Sequence, residues 1–367
     1  MSLSNSLDEN IFYDTPQDLL YTCEQLTVNS SHIFKVHCVV SKVLGVWSAY
    51  LLPIVCGLGL IIHCLLIMII LERLNSIPRQ LIYTVCLSCS NILTNILFGW
   101  LWLFPAKGLP YATNGQIYYF LFNVSRIACR LCRFTYSLST TFTSNLILCS
   151  AIDRCLSIFL PVKFLNLPNR YAWYICLAVL FISSIMMCPL LFVMDWIQVG
   201  PFYICWMEES LFQLQIYHTI FANLGLIQSI LIVMVNIAFI ARLKIQNKQR
   251  HYAMVYTKKE LKYISMSIIL LAFSMSYVLT ALPQTVVYLL AFLWSYSLEN
   301  FNEEYEVWIR LMYNGADIGW NLHFTRELID LFMYFVYLKP LRRILLSKIR
   351  KIINAARLWN SISSSRS

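Results

Sequence analysis

The chain has 367 residues, 59% of them hydrophobic and 13% charged, with a mean hydropathy of +0.64. Soluble domains are about a quarter charged, so this composition excludes a water-soluble globular fold. The net charge of +10 would suit a nucleic-acid partner, but the basic residues fall in the connections between long apolar runs, which marks membrane topology instead.

Met1 to Asp18 is polar and acidic without an early apolar core, so no cleavable signal peptide is expected. Asn29-Ser30-Ser31 is a glycosylation acceptor pattern. Seven apolar segments follow: Val43–Leu71, Leu81–Phe104, Ile127–Cys155, Tyr171–Met194, Ile216–Ile240, Tyr263–Phe292 and Trp308–Leu338. Each is long enough for a hydrocarbon layer of about 30 Å, and none alternates like a barrel strand. Backbone polar groups in lipid must be satisfied within the segment, so helices are predicted. Pro53, Pro189 and Pro283 fall inside segments and are expected to kink them. The organisation is then a tail over 1–42, a helical bundle over 43–338 and a second tail over 339–367.

Charge orients the bundle. Arg73 and Arg79, Lys163 and Arg170, the group from Arg242 to Lys262, and the run from Lys339 to Lys351 mark one side. Asp8 to Asp18, Asp195, Glu208, Glu209, Glu299, Glu303, Glu304 and Glu306 mark the other. The basic side is expected to be cytoplasmic, which puts the N-terminus outside and the C-terminus inside. That arrangement needs an odd number of spans. After the last span, Leu338 to Leu358 places Ile344, Leu345, Ile349, Ile352 and Ile353 on one side and basic residues on the other, as a helix lying along an anionic leaflet would. The Ser-rich end, Ser361 to Ser367, has the composition of a disordered tail.

The motifs narrow the class. Asp153-Arg154-Cys155 ends the third segment, Arg154 lies 25 residues after Cys129, and Pro161 follows seven residues later. Asp330-Leu331-Phe332-Met333-Tyr334 lies in the seventh segment, and Leu341-Arg342 follows Tyr334 by seven residues. Leu87-Ser88-Cys89-Ser90-Asn91-Ile92-Leu93 lies in the second. These resemble, in order, the Asp/Glu-Arg-Tyr, Asn/Asp-Pro-x-x-Tyr and Leu-Ala-x-x-Asp-Leu-Leu motifs of rhodopsin-like (class A) G-protein-coupled receptors. The chain is a divergent match. Cysteine replaces tyrosine at Cys155 and leucine replaces proline at Leu331, as an apolar residue often does in invertebrate FMRFamide-like peptide receptors. No asparagine stands near His63 and no tryptophan near Val179; Gln228 stands where the fifth helix has proline, and the sixth reads Thr280-Ala281-Leu282-Pro283.

The resemblance implies a plasma-membrane receptor that passes an extracellular signal, from a peptide or small molecule, to a heterotrimeric G protein. It implies that Asp153 holds Arg154 at rest and that Arg154 then meets the G protein, with Asp330 and Tyr334 in the same switch. Asn91 and Asp330 would face each other in mid-bundle. Asparagine at Asn91 removes the charge that binds sodium in the family, and no cofactor or metal is expected. Charges at membrane depth pair inward, so Arg326 is expected to neutralise Glu327 or Asp330. An oxidising exterior allows a Cys129–Cys205 disulfide, with Cys132 as competing partner, and a Cys23–Cys38 bridge.

For the ligand pocket the resemblance points to Arg133, Tyr136, Gln284 and Glu208. Tyr136 in place of aspartate disfavours an amine, and Phe324 in place of lysine disfavours retinal. Arg126, Arg130 and Arg133 share a helix face that would meet an anionic group, lipid headgroups, or Glu208 and Glu209. The acidic set Glu299 to Glu306 would attract a basic peptide, of which one with an amidated Arg-Phe end is the leading type, and a neuropeptide is the expected ligand. A chemosensory or non-signalling receptor is the alternative. A transporter or channel lined by Arg326, Glu327 and Asp330 would carry internal repeats, and none is visible. No phosphate loop or metalloprotease motif suggests an enzyme.

Overall fold

The computed structural model describes residues 32–72, 79–164, 167–199, 202–207, 224–251, 258–297 and 303–337, together with residues 16, 18–20, 23–24, 212–214, 342, 346–347, 350 and 354. Asn29, Glu208, Glu209, Glu299 and most of the amphipathic stretch 338–358 lie outside these residues, as do the side chains of Tyr334, Glu303, Glu304 and Glu306.

Seven long helices form one bundle: α1 His32–Leu71, α2 Gln80–Ala112, α3 Arg126–Phe159, α4 Arg170–Val193, α5 Leu224–His251, α6 Lys258–Ser297 and α7 Glu303–Tyr337. Among the described residues, six are long and apolar enough to cross a membrane. The seventh has the length, at 35 residues, but carries Arg310, Asp317, Arg326, Glu327 and Asp330. It packs against α6 and α1, so these charges are held inside protein, where membrane-depth charges are tolerated.

The helices outrun their apolar cores. At 40 residues, α1 is about 60 Å long and starts at His32, well before the expected onset at Val43. Hydropathy marks only the part that crosses lipid. Two prolines lie where the helical ladder is loosened. Pro53 follows a wide-turn stretch, Trp47–Leu51, and Pro105 lies in another, Asn95–Gly108. Pro189 interrupts α4 after Met187, and Pro283 lies inside α6. The two wide-turn stretches meet at Gly108, where a Cβ would sit 2.4 Å from the Ser48 carbonyl oxygen, so α1 and α2 approach backbone to backbone.

Large apolar side chains such as Ile54, Ile61, Phe181 and Leu279 point outward, as a lipid-facing surface requires. Inside, small hydroxyl residues join α2 to α3. The Ser90 hydroxyl donates to the Ser139 carbonyl at 2.8 Å, Thr94 to Ser139 Oγ at 3.0 Å, and Thr143 to Ser90 Oγ at 2.9 Å. Polar side chains can hold helices together where lipid removes the hydrophobic driving force. Gln228, at the expected proline position of α5, donates to Asn145 Oδ1 at 2.6 Å, and Asn145 donates to Ser183 on α4 at 3.0 Å.

One end of the bundle is closed by a hairpin and two disulfides. β1 Met194–Val199 pairs antiparallel with β2 Phe202–Met207, with Trp196 opposite Cys205. Cys205 is bonded to Cys129 at the start of α3, and Cys132 is a free thiol. The side chain of Ser125 caps α3 by accepting from the Ala128 N–H at 3.1 Å. Asn123, just before it, takes the Cys205 N–H at 2.9 Å and the Trp196 indole at 2.7 Å. Cys23–Cys38 ties the N-terminal segment to α1.

That segment is anchored by a buried ion cluster. Asp18 is 1% exposed; Lys107 Nζ and Arg310 Nε both bind its carboxylate, the latter at 2.7 Å. Burial pushes the Asp18 carboxyl up, but the two cations outweigh it and hold it well below the usual carboxylate range. A depressed carboxylate contributes stability above its ordinary value of about 4 and loses it as pH falls through the folded-state value. Asp18→Ala is expected to lower stability by about 3 kcal/mol at pH 7. The gap from the native chain should begin to narrow as pH drops below about 4. Thermal unfolding in detergent at both pH values checks this.

Candidate functional site

Below the hairpin, α2, α3, α5, α6 and α7 enclose a cavity of about 190 Å³. Its walls are aromatic because these helices put Phe98, Trp102, Tyr136 and Trp320 on their inner faces. Phe98 stacks on Tyr136 at 4.7 Å, and Trp320 tilts against Phe98 at 4.7 Å. Arg133, Tyr136 and Gln284, three of the expected pocket residues, line it. Phe324 is 1% exposed and packs in the adjoining apolar core.

The expected arginine face divides. Arg126 pairs with Asp195 at 2.7 Å, and Arg130 Nε donates to the Met194 carbonyl at 2.8 Å, so both hold the hairpin. Arg133 reaches inward and lies over the Trp102 ring, 4.0 Å from its centroid.

The floor of the cavity is charged. His323 and Glu327 line it, and Glu327 also lines a second cavity of about 60 Å³ deeper in the bundle, with Asn91 and Thr143 shared between the two. Arg326 binds Asp330 at 2.8 Å and lies 3.7 Å from Glu327, so it serves both acids between which the sequence left the choice open. His323 Nε2 lies 3.1 Å and His63 Nε2 3.9 Å from the Glu327 carboxylate. Ser276 on α6 donates to Asp330 at 3.0 Å. Asn91 and Asp330 line the second cavity together but bond elsewhere: Asn91 accepts from Thr143 at 3.3 Å.

At the far end of α3 the expected Asp153–Arg154 pair is replaced. Asp153 is bonded at 2.7 Å to Arg79, the residue just before α2, and Arg79 also donates to the Phe164 carbonyl at 2.9 Å. Arg154 turns the other way and donates to Ser274 Oγ on α6 at 3.2 Å. Asn236 on α5 donates to the same hydroxyl at 2.9 Å. Neighbouring residues on a helix point about 100° apart and do not face each other, so Asp153 and Arg154 take partners on opposite sides. Sequence reasoning missed Ser274, Asn236 and the role of Arg79. In the sequence Arg79 is only a topological charge, although its place just before α2 puts it level with the end of α3. Among the described residues, no group of three His, Cys, Asp or Glu side chains is placed to hold a metal.

The hairpin bonded to α3, the cavity beneath it and the arginine at the opposite end form the frame of a seven-helix receptor. The model of one such family, described as serpentine type 7TM GPCR chemoreceptor Srsx, matches residues 113–306, more than half of the chain. The chain belongs to this Srsx family. No curated protein matches it. The Srsx match runs from just before α3 into α7 and so takes in the hairpin, Arg133 and Arg154. Membership makes the chain a receptor-type, multi-pass membrane protein whose general partners are a ligand and a G protein. The family description names chemoreception and not peptide binding.

Proposed function

We propose that this Srsx receptor binds a small chemosensory ligand in the 190 Å³ cavity and signals through a heterotrimeric G protein at the Arg154 end. One observation carries the reading. The ligand cavity and the second cavity share Glu327, and the second cavity is also lined by Arg154 and Ser274. A ligand that favours one arrangement of that shared floor shifts the population of the α6 position that Ser274 and Arg154 hold. In this reading the hairpin end and the N-terminal tail face outward at the plasma membrane, with Asn29 glycosylated. The segment 339–367 lies in the cytoplasm along the inner leaflet. Asp330 and Tyr334 belong to the switch, and Asp153 acts by anchoring the end of α3 through Arg79.

An amidated basic peptide is a second reading, favoured by the acidic set Glu299 to Glu306 and by Glu208, which follows β2 in the sequence. Ligand-stimulated nucleotide exchange on Gα, screened with small odorants and with amidated peptides in membranes carrying the chain, separates the two. Arg154→Ala is expected to abolish exchange while leaving ligand binding in place. Exchange that survives Arg154→Ala overturns the coupling role.

A further inference from the structure

The reading of the cavity as the ligand site leaves the ligand's chemistry open, and Arg133 narrows it. Of the three arginines on its face, Arg126 and Arg130 are taken up by the hairpin. Arg133 lies with its guanidinium 4.0 Å from the Trp102 ring centroid and 5.6 Å from that of Phe122. Ring faces attract the cation but do not accept its in-plane N–H groups. Its Nε is buried with no hydrogen-bond partner, and an unmet buried donor is costly. The Trp102 indole lies against the guanidinium carbon, and the N–H edge is left for a ligand. That edge is a fork of donors matched to a carboxylate. Asp317 and Glu327 also line the cavity, so a second anionic group on the ligand would meet like charge. Phe98, Tyr136 and Trp320 supply the wall for an apolar body.

We propose that the cavity selects small monocarboxylates, with the carboxylate on the edge of Arg133 and an aromatic or aliphatic body between Phe98, Tyr136 and Trp320. The test uses the full chain in lipid nanodiscs and follows its thermal unfolding. Phenylpropanoate and octanoate are each compared with the primary amide of the same skeleton. The acids are expected to raise the unfolding temperature at concentrations at least about tenfold below those the amides need. Arg133→Gln is expected to remove that preference, and Arg133→Lys to restore part of it, since lysine keeps the charge without the fork. Equal effects of acid and amide, no effect of either acid, or the same acid preference in Arg133→Gln overturn the proposal. The matched pairs on the native chain decide the matter even where a variant does not fold. Acids that bind without driving nucleotide exchange count against the signalling reading and leave this one standing. Amides that bind and drive exchange as well as acids do the reverse.

Discussion

Arg79→Leu is expected to destabilise the bundle by about 3–5 kcal/mol, the range for removing one partner of a buried ion pair. Arg79 and Asp153 are both buried, at 8% and 6% exposure. The substitution strips Asp153 Oδ1 of its partner when Oδ2 already has none. It also removes the bond to the Phe164 carbonyl that holds the turn after α3. Replacing the pair together, Arg79→Leu with Asp153→Leu, should cost less than either single change, because no charge is then stranded. Thermal midpoints of the four proteins in detergent form the cycle. If the double change costs the sum of the singles, the two residues are not coupled. The same geometry separates Asp153 from the restraint on α6. Asp153→Asn should leave basal nucleotide exchange unchanged, whereas Ser274→Ala removes the acceptor shared by Arg154 and Asn236 and should raise it.

This result turns on a feature that adjacency in the sequence concealed. The apolar runs placed the helices, because burial in lipid requires long uncharged stretches. They did not place the helix ends, since α1 starts at His32 and α2 runs to Ala112, beyond the apolar runs Val43–Leu71 and Leu81–Phe104. Charges four apart were legible: Arg326 and Asp330 meet as an i,i+4 pair should. The partners of Asp153 and Arg154 were not, because each residue bonds a different helix end or helix and not its neighbour. Arg79, Ser274 and Asp18 act through partners 74, 120 and 292 residues away, distances over which only the packed bundle sets the pairing. The hairpin β1–β2 escaped for a different reason. Asp195-Trp196-Ile197-Gln198-Val199 is too short and mixed to stand out beside α4, and its register depends on the Cys129–Cys205 bond and on Asn123.

Arg326→Met should prevent accumulation of folded protein. Arg326 is the cation that two carboxylates share in the middle of the bundle, with Asp330 at 2.8 Å and Glu327 at 3.7 Å. It also lies over the Tyr277 ring at 5.5 Å, and Tyr277 bonds the Ser144 hydroxyl of α3. The change therefore takes the shared cation from two acids and removes the contact of α7 with the Tyr277 ring of α6, leaving the Ser276–Asp330 bond between those helices. One stranded charge costs about 3–5 kcal/mol, already a large part of the stability of a typical protein. Methionine keeps the volume and apolar stem, so any loss reads on charge and not on a cavity. Adding Asp330→Asn should recover part of the yield, since one acid is neutralised and Ser276 can still bond its side-chain oxygen. Adding Glu327→Gln as well should recover more, because no uncompensated carboxylate is left. The measurement is the monodisperse fraction extracted from membranes, with its thermal midpoint. If Arg326→Met alone is as stable as the native chain, the two acids carry no charge in the folded bundle. The charged link between the two cavities would then be lost, and with it the route by which a ligand resting on Glu327 moves α6.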